Sequence, residues 1–206
     1  MSRERASRRA FPDADIISLA SPRCPASATD LFVTAGPLEV DVGCGRGRFL
    51  LARAQSCPRV NFVGIDRMRL RLRKFAFKIA AAGLRNIRLI HGDAVEACAR
   101  LLATGSIRAF YVFFPDPWPK RRHHRRRLIS PAAIDLLYGK LEPRGCLHLA
   151  TDHAEYFQVI DRMLAADARF ERIEPFVPAD DEQTDFETIF NKQQQPIYRC
   201  SVRRKG

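Results

Sequence analysis

Asp66, Asp93, Asp116 and Asp152 each stand at or just past the end of a short apolar run, and Asp41 lies inside another, "LEVDV". A lone aspartate in such a place is an ordinary turn former or helix N-cap. Five brought to one rim would instead make a negative cup, suited to a ligand built of cations and hydrogen-bond donors rather than phosphates. Directly after "LEVDV" comes Gly43-Cys44-Gly45-Arg46-Gly47, a turn in which glycine lets the backbone approach a ligand closely. A dinucleotide fingerprint G-x-G-x-x-G would need glycine where Arg48 stands.

The observed spacing, G-x-G-x-G, is the loop that in many methyltransferases admits the amino-acid end of S-adenosylmethionine. That molecule has no phosphate. It offers an ammonium, a sulfonium, a ribose diol and an adenine amino group, all of which carboxylates can hold. Asp66, about 20 residues past the glycine turn, is spaced to grip a ribose diol. Asp93 suits the adenine amino group, and Asp41 the ammonium side, directly or through backbone and water.

A second constellation is "FYVFFPDPWPKRRHHRRRL", Phe110 to Leu128. The prolines fix φ and push the residues before them into extended conformations, so Asp116 and Trp118, the chain's only tryptophan, are held on a stiff loop. The eight consecutive basic residues from Lys120 to Arg127 can track a phosphate backbone, positioning it without reading sequence. A solvated helix face or loop is the plain reading of such a run, though its place at the rim of the strand ends weighs against it, and Trp118 is as well suited to capping the core as to stacking on a base. His123 and His124 belong with the basic run; His91, His148 and His153 suit packing or capping.

The elements that must position these groups alternate regularly. Strands are expected at "LEVDV", "VNFVGID", "NIRLIHGD", "IRAFYVFF" and "GCLHLATD". Helices are expected at "GRFLLARAQS", "RMRLRLRKFAFKIAAAG" (stopped by Gly83), "AVEACARLLATG", "SPAAIDLLYGKL" (capped by Ser130) and "HAEYFQVIDRMLAAD". "FERIEPF" and "PIYRCSV" could add edge strands. Strand–helix alternation implies an α/β fold with a mostly parallel, doubly wound sheet, in which ligands bind past the carboxyl ends of the strands.

With 206 residues the chain is one domain of ordinary size. Residues 1–36, Arg-rich and then Pro-, Ser- and Ala-rich, are expected to form a poorly ordered arm, and 37–206 the folded domain. A net charge of +12 and pI near 10.0 point to a polyanionic partner, nucleic acid first and an anionic membrane surface second. No stretch approaches the roughly 20 apolar residues of a membrane span. The six cysteines, Cys24, Cys44, Cys57, Cys98, Cys146 and Cys200, include no C-x-x-C pair, which suits free thiols in a reducing cytoplasm and no metal site.

"DVGCGRGRFLLARA", "FVGIDRM", "HGDA", "FPDPWPKRRHHRRRL", "ATDHAEYF" and "TDFE…PIYR" together resemble the bacterial tRNA (guanine-N7-)-methyltransferases from about Leu38 to Tyr198. The resemblance implies a Rossmann-like class I methyltransferase fold with a seven-stranded sheet, S-adenosylmethionine as cofactor, and a guanine in the variable loop of tRNA as substrate. It implies that Asp41, Gly43, Cys44, Gly45, Gly47, Asp66, Arg67, Asp93 and Ala94 line the cofactor site, with Asp116 as the catalytic residue. Lys120, Asp152, Thr184, Asp185, Phe186 and Glu187 would contact the tRNA. A cytoplasmic monomer or homodimer is expected. The chain departs from its relatives at Ile189, where they commonly carry Lys, and at Gln194, where they carry Gly.

Three rival readings are weaker. Enzymes that methylate base amino groups typically present [D/N]-P-P-[Y/F] where Pro117-Trp118 stands. A C5-pyrimidine enzyme needs a nucleophilic cysteine at the rim, and Cys44 and Cys146 are not so placed. A non-catalytic RNA-binding protein on the same scaffold would have no need of the carboxylates.

Overall fold

The computed structural model describes residues 16–21 and 27–206. Eight strands form one sheet: β1 (Ile16–Ser18), β2 (Leu38–Val42), β3 (Asn61–Asp66), β4 (Ile87–His91), β5 (Ile107–Phe113), β6 (Leu141–Thr151), β7 (Phe170–Ile173) and β8 (Tyr198–Arg204). Their order is β1-β4-β3-β2-β5-β6-β8-β7. Strands β1 to β6 pair in parallel, and β8 runs antiparallel to both β6 and β7. Six helices connect them: α1 (Arg48–Ser56), α2 (Arg69–Ala81), α3 (Ala94–Leu101), α4 (Pro131–Lys140), α5 (Ala154–Ala166) and α6 (Asp185–Lys192).

The doubly wound α/β sheet is the one expected, with two differences. It has eight strands rather than seven, and the additional one comes from the segment read as a loose arm. Ile16–Ser18 pairs with Leu89–His91, with Ile16 buried and Leu19 packed on the edge. Ala28, also from that segment, is buried in the main core and donates to the Leu101 carbonyl. The domain therefore does not begin at residue 37. The Arg-rich stretch up to residue 15, and residues 22–26 with Cys24, lie outside the described residues.

Side chains from both faces of the sheet are buried, as parallel strands require. On one face Val40, Val42, Val63, Phe110 and Val112 meet α3, α4 and α5 through Cys98, Leu137, Tyr156 and Ile160. On the other, Phe62 and Leu89 meet α1 and α2 through Leu50, Leu72 and Phe75. Local signals set the helix ends where they were expected: Ser130 Oγ accepts from Ala133 N at the start of α4, and Gly83, at φ 66°, follows the end of α2. Among the described residues no helix is long and apolar enough to cross a membrane.

The strand order turns back on itself between β2 and β5. β2 sends its chain toward β3 and β4, and β5 toward β6, which opens a crevice at the carboxyl ends of this pair.

Candidate functional site

The topology lines up the aspartates. Along the rim the strand ends run Asp93 past β4, Asp66 on β3, the glycine turn with Asp41 on β2, Asp116 past β5 and Asp152 past β6. Four strand spacings make this row about 20 Å long.

The glycine turn is held by backbone bonds. Gly43 N and Cys44 N both donate to the Ile65 carbonyl (2.8 and 3.0 Å), and Gly47 N donates to the Cys44 carbonyl (2.9 Å). Gly43, Gly45 and Gly47 have φ of 89°, 56° and 70°, left-handed values that an L side chain resists. Gly47 has a further reason to lack a side chain: a Cβ there would lie 2.2 Å from the ring of Phe75 on α2. The thiol of Cys44 is buried against Gly64, where an added Cβ would meet its sulfur at 2.8 Å, and burial pushes its pKa well up. Cys44 therefore offers a ligand its backbone and not its thiol. Gly64 had not been singled out in the sequence, because its role is contact with a loop from another strand.

The three carboxylates expected to face a cofactor differ. Asp66 accepts from Gly45 N through Oδ2 (2.9 Å) and from Met68 N through Oδ1 (2.6 Å), so it braces the turn and keeps one lone pair on each oxygen. Asp93 N-caps α3, Oδ1 accepting from Val95 N and Glu96 N, and its second oxygen is open. Asp41 is only 5% exposed and, among the described residues, accepts no hydrogen bond. Burial, and next the charge of Asp66, raise its pKa to about 8. Arg67 is exposed beside Asp66; Ala94 borders an apolar crevice that it shares with Val42, Val95, Val112 and Leu128.

Asp116 is exposed on a loop whose backbone is bent twice into the left-handed region, at Phe114 (φ 53°) and Trp118 (φ 43°). Bulky residues there are strained and persist only when neighbours over-determine them. The neighbours are identifiable. Arg127 Nε donates to the Pro117 carbonyl (2.8 Å) and its guanidinium lies over the Tyr156 ring; the Tyr156 hydroxyl accepts from Ile129 N (3.0 Å). Phe114 packs against Phe186 and Phe190 of α6. Trp118 is held by its own basic turn, with Arg126 over its ring and His123 at its edge. The basic run forms a short 3-10 helix, Arg121–Arg126, all of it exposed except His123. Lys120 and Asp152 are also exposed at this end.

The four consecutive residues expected to touch substrate, Thr184 to Glu187, divide into two pairs. "TDFE" is the start of α6, and Thr184 and Glu187 form a reciprocal capping box: Glu187 N donates to Thr184 Oγ1, and Thr184 N to the Glu187 carboxylate. Glu187 is wholly buried and ion-paired with Arg199. Both side chains thus serve the helix start, while Asp185 and Phe186 face outward. Of the histidines, His153 N-caps α5 and His148 stacks on Tyr111 and bonds Ser201, its pKa lowered to about 4 by burial and then by Arg53.

A buried network on β2, β5 and α1 had no sequence signal. Glu39 accepts from Tyr111 and Arg108, while Arg53 reaches Glu39, Tyr111 and Glu182 and lies over Phe176. Arg53 thereby ties α1 to the segment leading into α6. The partners are up to 129 positions apart, from Arg53 to Glu182, and only the fold brings them together.

Comparison with known proteins follows this geometry. Residues 35–200 match the model of a family described as "Putative methyltransferase". A tRNA (guanine-N(7)-)-methyltransferase of Nocardia farcinica is 41% identical over 77% of this chain and 59% of its own length. One of Nitrosococcus oceani is 43% identical over 65% of this chain and 57% of its own. The chain thus spans less than two thirds of the length of these relatives. Among solved structures, the 16S rRNA methyltransferase KamB superposes with a TM-score of 0.64 at 16% identity, covering 86% of this chain and 92% of that one, a likeness of fold.

Proposed function

The chain belongs to the methyltransferase family whose model spans residues 35–200, and on that premise we propose that it transfers a methyl group from S-adenosylmethionine to N7 of a guanine in the variable loop of tRNA. The relatives bearing the name of that reaction support it. The observation that carries the cofactor assignment is Asp41. A buried carboxylate without a donor is unfavourable, and a ligand cation placed beside it removes the penalty. The donor set fits the rest of the cofactor: Asp66 for the ribose diol, the open oxygen of Asp93 for the adenine amino group, the apolar crevice at Ala94 and Val95 for the ring's faces, and the glycine backbone for the amino-acid end.

When bound, the cofactor supplies an electrophilic methyl group on a sulfonium. The protein's task is to place a nucleophile in line with it. Guanine N7 carries a free lone pair at neutral pH, so no proton has to leave first and no general base is needed. Asp116 accepts hydrogen bonds from the guanine N1–H and exocyclic amine and favours the positive charge that develops on the base. Its loop, fixed by Arg127 and the prolines, supplies orientation, which is worth a large part of the barrier in displacements of this kind. Lys120 to Arg127 hold the phosphates on either side of the base.

Incubation with unmodified tRNA and labelled S-adenosylmethionine, followed by mapping of the labelled nucleotide, tests the reading. Label on an adenine or cytosine overturns it. Asp116→Asn lowers the rate by roughly 100-fold or more while cofactor affinity changes far less; a wild-type rate in that variant removes Asp116 from the mechanism.

A further inference from the structure

We propose that α2 carries a second phosphate-binding ridge, distinct from the Lys120–Arg127 turn, which holds the RNA backbone on the far side of the acidic cup; this rests on the tRNA reading above. From Arg67 to Gly92 the chain has eight Lys and Arg residues and no Asp or Glu. Arg71, Lys74 and Lys78 follow one another at steps of three and four, which places them along one stripe of the helix, and Arg67 stands just before its Met68 N-cap. All four are exposed, whereas Leu72, Phe75 and Ala76 form the buried face. Among the described residues none of the four meets a carboxylate; Lys78 Nζ instead donates to the Arg46 carbonyl (3.0 Å), joining the ridge to the glycine turn, where Arg46 is exposed as well. Arg69 and Arg73 are engaged elsewhere and are not part of the ridge.

Taken alone, this helix is electrostatically ill-made. Like charges three and four apart repel. Its first turn holds no acidic residue, so positive side chains crowd the positive end of the helix dipole. The same chain builds an ordinary solvated helix differently: α3 has Glu96 in its first turn, bonded to Arg100 at 2.8 Å. An uncompensated stripe lowers the stability of the free protein and is neutralised when a polyanion lies on it. The placement suits a folded RNA. β3, which leads into α2, is two strands from β5, so the ridge starts about 10 Å along the rim from the strand that delivers Asp116. It then runs about 20 Å down the side of the domain.

The test uses the full chain and the double variant Arg71→Gln/Lys74→Gln, which leaves Arg67 and the Lys78–Arg46 bond in place. The dissociation constant for unmodified tRNA is measured between about 50 mM and about 200 mM salt. Loss of two phosphate contacts lowers the slope of log K against log salt by about 1.4–1.8. The KM for tRNA rises, kcat at saturating tRNA and the affinity for S-adenosylmethionine stay the same, and Tm holds or increases. The charge-retaining variant Arg71→Lys/Lys74→Arg keeps the wild-type slope. If the wild-type protein binds and methylates tRNA while the double variant keeps its slope, the ridge is refuted and the proposed function stands. If instead the variant loses binding only to phosphatidylserine vesicles, the ridge is a membrane contact and the inference is equally refuted. A wild-type protein that neither binds nor methylates tRNA removes both.

Discussion

Gly47→Ala probes the contact that seats the glycine turn against α2. The new methyl would lie 2.2 Å from two carbons of the Phe75 ring, and that ring is fully buried with Leu50 and Leu72 around it, so it has nowhere to swing. Overpacking of this kind costs about 1–3 kcal/mol. A left-handed φ of 70° adds about 1–2 kcal/mol for a residue with a Cβ, while the stiffer unfolded chain offsets about 0.4–1 kcal/mol of that cost. The sum, about 1–5 kcal/mol, is to be set against the roughly 5–15 kcal/mol that holds a domain together. Urea titration of the two proteins measures it as a shift of midpoint at constant slope. Gly43→Ala is the control, since φ is 89° there but a Cβ meets nothing within 4 Å; it loses only the conformational share, about 1–2 kcal/mol. In a Phe75→Leu background, which opens room beside the turn, the effect of Gly47→Ala shrinks by about 1–3 kcal/mol. Should Gly47→Ala be no worse than Gly43→Ala, and indifferent to Phe75→Leu, close approach to α2 is not why glycine stands there.

Three further outcomes are expected. Asp41 is held protonated up to about pH 8, so between its unfolded pKa and pH 8 the native state binds the extra proton and stability falls as pH rises. His148, lowered to about 4 from 6.5, contributes the opposite slope below pH 6.5; the net decline therefore appears between pH 6.5 and 8, amounts to about 2 kcal/mol, and disappears in Asp41→Asn. A wild-type profile that is flat over that interval, measured by denaturant titration, refutes it. Glu187→Ala strands the Arg199 guanidinium and removes half of the capping box, destabilising the protein by about 3–5 kcal/mol; a loss of activity with unchanged stability would return Glu187 to the substrate. Gln194→Gly, at φ 53°, replaces a strained side chain and raises stability by about 0.5–1 kcal/mol, visible as an increase in Tm of about 1–4 °C, whereas a lower Tm contradicts the strain argument.

What the sequence made legible was local in origin. The sheet and its helices follow from alternating apolar runs, and their ends from Ser130, Gly83 and the glycine turn, each acting on its own neighbours. The three-residue strand Ile16–Ser18 escaped notice because its order comes from Leu89–His91, more than 70 positions away, and not from any signal in "IIS". The "TDFE" segment shows the converse. Its T-x-x-E spacing is a helix-start signature while its resemblance to relatives points to substrate, and the burial of Glu187 against Arg199 favours the helix start for that side chain. Gln194 was noticed as a departure from glycine, and the structure supplies the reason: the backbone there is left-handed.

The acidic rim was legible as a set but not as individuals, and the individuals decide its chemistry. Asp66 already receives two backbone N–H groups and Asp93 two more, so each has donors supplied by the fold itself. Asp41 receives none and is the most deeply buried of the three. Spacing cannot express this difference, since it arises from which loop amides happen to point at which carboxylate. Its consequence is directional. A neutral donor such as a ribose hydroxyl can be met by the lone pair left on each oxygen of Asp66, whereas only a full positive charge repays ionisation of Asp41 inside the domain. The cationic end of a ligand is thereby drawn to β2, next to β5, and the rest of the ligand extends toward β3 and β4, which leaves the carboxyl end of β5 free for the loop that carries Asp116.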